Sequence, residues 1–108
     1  MGPLREPTFL ILTSLAAGTQ HGYGIMADVR QISGGRVHLR AGTLYAALDR
    51  LTAEGLVEAD REEIVDGRLR RYYRLTPAGA QRLAAEVERL RASASAAARR
   101  LKLADGTA

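Results

Sequence analysis

Residues 41–76 read AGTLYAALDRLTAEGLVEADREEIVDGRLRRYYRLT, and this stretch decides the fold. Its first part predicts an amphipathic helix over residues 41–54 that ends at Gly55. The apolar residues of that helix share one side of a helical wheel: Leu44, Ala47, Leu48 and Leu51. The second part predicts two antiparallel strands, residues 56–65 and 68–75, joined by a tight turn at residues 66–67.

Charge is divided unevenly between the two predicted strands. Residues 53–66 hold six acidic residues and one arginine, whereas residues 67–74 hold four arginines and no acid. The turn would place Glu63 opposite Arg70 and Glu62 opposite Arg71, so the acidic strand would partly neutralise its neighbour. In a chain of net charge +4, this clustering favours a polyanionic partner. A merely solvated charged hairpin is the alternative.

The bulk composition excludes several classes of protein. A chain of 108 residues has room for one domain with a modest core, and a single Phe, four Tyr and no Trp make that core aliphatic. The lack of cysteine excludes disulfides and thiolate metal sites and fits a reducing compartment. No apolar run reaches transmembrane length. Residues 1–18 share a charged start and an apolar run with signal peptides, but no clear cleavage site follows. We therefore expect a cytoplasmic protein without a membrane partner.

Two more helices are predicted before this stretch. The first runs over residues 7–17 between Pro7 and Gly18, residues 19–22 form a turn, and the second opens near residue 23 and ends at residues 33–35, Ser-Gly-Gly. Their predicted core residues are Phe9, Leu10, Leu12, Leu15, Ile25, Met26, Val29 and Ile32. Residues 36–39 form a short extended segment that is a candidate to pair with the hairpin.

A last helix begins at Thr76-Pro77, with a hydroxyl N-cap followed by proline. Ala80 begins an apolar seam with alternating spacings of three and four residues. The seam extends beyond the predicted domain, so a second copy of the chain is the simplest partner; folding back onto its own domain is the alternative. The predicted dimer interface comprises Leu83, Val87, Leu90, Ala94, Ala97 and Leu101. We expect a DNA-binding domain at 1–76, a dimerisation helix at 77–103 and a disordered tail at 104–108.

The predicted order is helix, helix, short strand, helix, two-stranded wing and long terminal helix. This order is typical of a mainly α fold with a small β-wing, the winged helix-turn-helix. A helix of major-groove width followed by an arginine-rich hairpin is typical of proteins that bind double-stranded DNA.

Three segments also resemble the signature segments of the PadR family of bacterial transcriptional regulators. They are HGYGI at residues 21–25, GTLYAALDRLTAEGLV at 42–57 and GRLRRYYRLTPAG at 67–79. The likeness spans residues 8–90, and the length resembles the small subgroup with one dimerisation helix. It implies a homodimeric repressor that binds a palindromic operator. Some small members respond to planar hydrophobic drugs held between aromatic side chains. This chain has no Trp and no aromatic residue in its last helix, so the resemblance leaves the identity of any small hydrophobic effector open.

The candidate DNA-binding residues come from the second and third helices, the segment between them and the hairpin. They are Tyr23, Arg36, Arg40, Gly42, Thr43, Tyr45, Arg50, Arg68 and Arg70. Gly42 and Thr43 stand at a helix N-terminus, which favours phosphate. Arg50 could reach a phosphate or a guanine, outward-facing Ala46 could meet a thymine methyl, and Tyr23 matches a phosphate-contacting position that the resemblance implies.

Alternative roles remain for several of these residues. Thr43 could simply cap its helix, and Tyr45 could pack against the second helix. We expect Arg68 and Arg70 to reach the minor groove or its phosphates, and Arg71 and Arg74 to pair with the acidic strand.

Other classes of function are less well supported. His21 is expected in a turn or as a helix cap, and His38 has no company of metal-ligand type, so no metal site is predicted. Two histidines, no cysteine and no phosphate-binding glycine loop leave little catalytic material, so neither an enzyme nor a cofactor is expected. The rival functions are a winged-helix protein-interaction module and a non-specific nucleic-acid binder.

Overall fold

The computed structural model describes residues 2–106. Along the chain it forms α1 (Glu6–Ala16), β1 (Gln20–His21), α2 (Gly22–Ile32), α3 (Ala41–Ala53), β2 (Val57–Val65), β3 (Arg68–Leu75) and α4 (Pro77–Ala104). The strands make one antiparallel sheet in the order β1-β3-β2. This arrangement confirms the predicted winged helix-turn-helix with a long C-terminal helix.

The third strand of the sheet is not where the sequence predicted it. The pairing partner of β3 is Gln20–His21, which was predicted to be a turn, and residues 36–39 lie outside the sheet. Two glycines with positive φ, Gly34 and Gly35, reverse the chain after α2. Arg36 is then held by Glu6 of α1. This segment consequently follows α1 and stays away from the hairpin.

The core lies between the first three helices and the start of the sheet. The predicted apolar side of α3 is confirmed, since Leu44, Leu48 and Leu51 are at most 1% exposed. Ile11, which was not predicted, is equally buried. Three predicted core residues depart from full burial: Phe9 and Met26 are only partly buried, and Ile32 is 47% exposed. Ile32 is exposed because α2 ends there and the chain turns away.

The hairpin has the predicted turn and register. Asp66 and Gly67 both adopt positive φ, at 52° and 75°, as a two-residue hairpin turn of the right twist requires. Glu63 pairs with Arg70 and Glu62 with Arg71, as predicted. An irregularity between Ala59 and Glu62 shifts the register of β2, and bulges of this kind increase strand twist.

Helix α4 begins on the sheet and continues away from it. The Thr76 hydroxyl accepts a hydrogen bond from the Gly79 amide and donates one to the Gly55 carbonyl oxygen. A side chain at Gly79 would overlap the Leu56 carbonyl oxygen, so glycine permits this close approach. At 1.5 Å per residue, the 28 residues of α4 span about 42 Å.

The two halves of α4 have different surroundings. Leu83 packs against the core and Val87 is half-buried, whereas Leu90 is 40% and Leu101 66% exposed. The helix continues to Ala104, one residue into the predicted tail, and residues 105–106 form a turn. Residues 107–108 of that tail lie outside the described residues. Within 2–106, no helix combines the length and apolar character needed to cross a membrane.

Candidate nucleic-acid interface

The side of α3 opposite the core is open. Because Leu44 and Leu48 point inward, Gly42, Thr43 and Ala46 point outward and are exposed. The N-cap residue, Arg40, makes no side-chain cap bond. The first N–H groups of α3 therefore remain available to an anion, and the alternative role of Thr43 as the cap is not observed.

The N-terminus of α2 reaches the same surface through a close fit of small and large residues. A side chain at Gly22 would overlap the Tyr45 phenol, so the glycine lets α3 place that phenol against the first turn of α2. Tyr45 is nevertheless 39% exposed, and Tyr23 is 61% exposed. Gly24 likewise makes room for the side chain of Gln20. Both glycines of the HGYGI segment are thus explained by close approach.

A cleft of about 520 Å³ separates these tyrosines from the wing. Its lining includes Tyr23 and Tyr45 on the helix side, and Arg68, Arg70 and the acidic Asp66 on the wing side. Within residues 2–106, neither arginine forms an ion pair. We call this space the wing cleft.

The other two arginines of β3 are neutralised, as the sequence predicted. Arg71 Nε lies 3.3 Å from a carboxylate oxygen of Glu62. Arg74 binds Glu58 at 2.7 Å and Asp60 at 2.9 Å. The acidic strand therefore neutralises the arginines nearer the core and leaves the pair near the turn unpaired.

An aromatic cluster joins the wing to α2. The rings of His21 and Tyr72 meet edge to face with centroids 5.3 Å apart. The Tyr72 phenol donates a hydrogen bond to Glu63, and the Arg61 guanidinium lies 4.1 Å above the Tyr72 ring centroid. Hydrogen bonds from Arg61 and Tyr72 lower the pKa of Glu63. Tyr73, by contrast, is buried in the core, so the two neighbouring tyrosines point in opposite directions.

His21 also caps α2, as its position predicted. Its Nδ1 accepts the Gly24 amide hydrogen bond at 3.2 Å. That nitrogen can accept only while it is unprotonated. Burial, reinforced by the nearby charge of Arg70, lowers the pKa of His21. The neutral ring that the cap requires is therefore also the form that its surroundings favour.

Two of the predicted DNA-binding arginines have partners within the chain. Arg36 binds both carboxylate oxygens of Glu6, at 2.5 and 2.6 Å. Arg50 donates to the Thr8 hydroxyl at 2.9 Å. Arg40 remains exposed, and no ion pair to it occurs in the described part of the chain.

A second cleft, of about 1070 Å³, flanks α3 on the side away from the wing. Its lining includes Arg5, Arg40, Arg50 and Arg82, with Glu54 as its one acidic residue among those described. We call it the arm cleft, because residues 2–5 form one wall. Arg5 was not among the residues predicted from the sequence. A basic residue just before the helix-starting Pro7 was the available signal.

Among residues 2–106, no group of three or more acidic or histidine side chains is arranged to hold a metal ion. The chemistry of the surface is that of guanidinium groups, phenols and helix N-termini.

The chain that carries this surface matches a known protein family. A model of the transcriptional regulator PadR-like family matches residues 11–85, which include α2, α3 and the whole wing. The chain belongs to the PadR-like family of transcriptional regulators. The resemblance of the three sequence segments is thereby confirmed.

Individual relatives match different shares of the chain. It is 44% identical over 81 residues to an uncharacterised 37.1 kDa protein in transposon TN4556 of Streptomyces fradiae, covering 75% of this chain and 22% of that protein. It is 58% identical over 38 residues to the transcriptional regulator Rv3488 of Mycobacterium tuberculosis, covering 35% of each. The chain thus spans well under two thirds of the length of either relative. Among solved structures, Bacillus subtilis PadR in complex with operator DNA matches with a TM-score of 0.68 and 27% identity, over 77% of this chain and 47% of that one.

The cap on α2 predicts a pH dependence of stability. Because the folded state lowers the pKa of His21, the unfolded state binds the proton more readily. The stabilisation by the His21 cap is fully present above the pKa of His21 in the unfolded state, about 6.5. It is lost as pH falls through the lower pKa of His21 in the folded state. We expect the free energy of unfolding, measured with urea, to decrease over this window.

His21→Asn should keep a cap, because asparagine is a strong N-cap residue, and should remove this part of the pH dependence. His38→Asn is the matched control and should retain it. A wild-type slope that survives in His21→Asn would contradict the assignment.

Proposed function

We propose that this PadR-like regulator acts in the cytoplasm as a homodimeric repressor that binds a palindromic operator. Each protomer would insert α3 into the major groove and place the wing against an adjacent backbone. The observation that carries the proposal is the wing cleft, where unpaired Arg68 and Arg70 face exposed Tyr23 and Tyr45 beside the open side of α3. A phosphate backbone in this cleft would meet cations on one wall and phenol donors on the other.

The residues of α3 suggest how bases would be read. Thr43 offers a hydroxyl, and Ala46 offers a methyl group that fits against thymine. Asp49 is exposed and has no ion-pair partner in the described chain, so it is free to accept from a cytosine amine. Arg50 would have to exchange its bond to Thr8 for one to DNA. Its main role is therefore to join α3 to α1.

The repressor proposal predicts a salt-dependent, site-preferring interaction with DNA. The duplex recovered by selection from a random-sequence pool should bind at least roughly a thousandfold more tightly than bulk genomic DNA. Arg68→Ala with Arg70→Ala should make the negative slope of log K against log salt shallower by about two units, because each lost phosphate contact reduces its magnitude by about 0.9.

Arg71→Ala is the matched control for this slope, because Glu62 already neutralises that arginine. It should leave the slope nearly unchanged. Equal binding to all duplexes would favour the non-specific binder, and an unchanged slope in the double variant would exclude these arginines as phosphate contacts.

The proposal of a dimer rests on α4. The seam residues Leu90 and Leu101 are exposed to solvent along a helix that extends beyond the core. Burying each leucine against a second copy would contribute about 1.5–3 kcal/mol. Paired half-sites one helical turn apart, about 34–36 Å, are the matching operator geometry.

Charge on the seam should separate the protomers. Leu90→Glu with Leu101→Glu is expected to give a monomer by light scattering and to weaken operator binding by about a hundredfold or more, because the two half-sites would no longer be linked. Leu103→Glu alters an exposed leucine of the same helix outside the seam and should remain dimeric. A dimer that persists in the double variant would refute the interface.

A small hydrophobic effector that releases the DNA is the last part of the proposal. An apolar groove of about 330 Å³ lies between α1, the end of β3 and the first half of α4, and the first seam residues form part of its lining. It is lined by Ala16, Leu75, Ala80, Leu83, Ala84, Val87 and Glu88. Its volume suits a small ligand. With no aromatic residue in the lining, the occupant would contact aliphatic side chains.

Filling this groove should block effector binding. Planar apolar compounds are expected to raise Tm of the wild type by several degrees and to weaken its binding to the operator. Ala84→Phe should abolish both effects, whereas Ala85→Phe, one residue along on the solvent side, should preserve them. Compounds that shift the Tm of wild type and Ala84→Phe equally would place the effector elsewhere.

A further inference from the structure

The segment before α1, residues 2–5, is fixed although it forms no regular secondary structure. We call it the arm. The Arg82 guanidinium donates to the Gly2 carbonyl oxygen, and the Leu4 backbone lies close enough to the Glu86 carboxylate to lower its pKa. Leu4 also packs against the core cluster. The arm is thus fastened to α4 by the hydrogen bond from Arg82 and to the core by the Leu4 side chain.

Glu86 is the most buried charged group among the described residues, at 2% exposure. Arg89 donates to both of its carboxylate oxygens at 2.5–3.2 Å, and this bonding lowers the pKa of Glu86. On the helical wheel Glu86 lies beside Arg82, on a different side of α4 from the seam. Burial of a carboxylate is costly unless it is paired and hydrogen-bonded. Arg89 and Arg82 on the same helix offset that cost, and the Leu4 backbone of the arm is a further favourable neighbour.

The arm places Arg5 in the arm cleft. Arg5 is exposed and has no ion pair within residues 2–106. The same cleft contains Arg40 from the start of α3, which is equally exposed and unpaired, together with outward-facing Thr43 and Ala46. The two unpaired arginines therefore flank the surface proposed to read the bases, on the side away from the wing.

The two clefts together fit the shape of a duplex. A helix in the major groove, which is about 12 Å wide, has one sugar-phosphate backbone on each side. The wing cleft accounts for one backbone. The arm cleft borders the opposite side of α3 and presents unpaired cations to it. Arg82 is only 12% exposed and bonded to the arm, so it positions the arm and is not itself a contact.

We infer that the arm is a second DNA-contacting element, which presents Arg5 beside Arg40 to the phosphate backbone on the side of α3 away from the wing. This inference rests on the proposed DNA-binding function and extends it to residues 2–5. Glu86 and Arg82 act as positioning residues, because they hold the backbone that carries Arg5.

The test uses the full chain and the duplex recovered by selection. Arg5→Ala is expected to make the negative slope of log K against log salt shallower by about 0.9, the effect of one phosphate contact. Ethylation interference should identify the contacted phosphate, because ethylation there should weaken the wild type and no longer affect Arg5→Ala. Arg30→Ala removes an exposed arginine at the far end of α2 that lines neither cleft, and it should change neither measurement.

A double-mutant cycle separates positioning by Glu86 from a general effect on folding. Glu86→Gln should weaken interference at the same phosphate, and combining it with Arg5→Ala should give less than the sum of the two losses, because both act on one contact. Additive losses, or loss of binding without a change at that phosphate, would show that Glu86 acts only on stability.

The outcomes distinguish this inference from the function on which it rests. If the wild type selects no duplex, the DNA-binding proposal fails and the inference falls with it. If the wild type binds and the Arg68 and Arg70 double variant weakens that binding, while Arg5→Ala retains the wild-type slope and interference pattern, the inference alone is wrong.

Discussion

Burial of one side of α3 is the constraint on which the remaining arrangement depends. Leu44, Leu48 and Leu51 are almost completely removed from solvent, and each contributes about 1.5–3 kcal/mol by its burial. A helix of 13 residues cannot rotate without exposing them. The opposite side, with Thr43 and Ala46, is therefore fixed outward. The readable surface is a direct consequence of the core and needs no separate device to hold it.

Ion pairs between β2 and β3 determine which cations of the wing stay unpaired. Three acidic residues of β2, Glu58, Asp60 and Glu62, form ion pairs with Arg71 and Arg74. Exposed pairs of this kind add little to stability, about 0–1 kcal/mol each, but they remove two cations from the competition for an anion. The cations left unpaired on β3 are those next to the turn. Local neutralisation therefore concentrates the unpaired positive charge of β3 at the wing cleft.

Most of the fold was predictable from the sequence because short-range signals coincide with it. Three features are each predicted from a few neighbouring residues: the turn at Asp66-Gly67, the cap at Thr76 and the spacing of leucines in α3. The pairing of β3 with β2, and hence the register of its arginines, followed from the turn alone. The lengths of the helices came within a few residues for the same reason.

The remainder depends on contacts between distant parts of the chain, which a single sequence does not reveal. Strand β1 is only two residues long and forms because β3 is already in place, so it has no pattern of its own. Arg36 and Arg50 looked available to DNA, but Glu6 and Thr8, which lie far away in sequence, engage them.

Helix α4 connects the two surfaces that this fold leaves open. One side of it carries the exposed seam with Leu90, and an adjacent side carries Glu86, which holds the arm beside α3. Consecutive sides of one rigid helix cannot move independently, because its backbone hydrogen bonds fix their relation. Any rotation of α4 that repacks the seam must therefore displace the Leu4 backbone or break the hydrogen bond from Arg82 to the Gly2 carbonyl oxygen. A ligand in the apolar groove, which lies between α4 and α1, would act on this same helix. Repacking of the seam would therefore also move the arm beside α3. This effect would add to any change in the spacing of two half-sites.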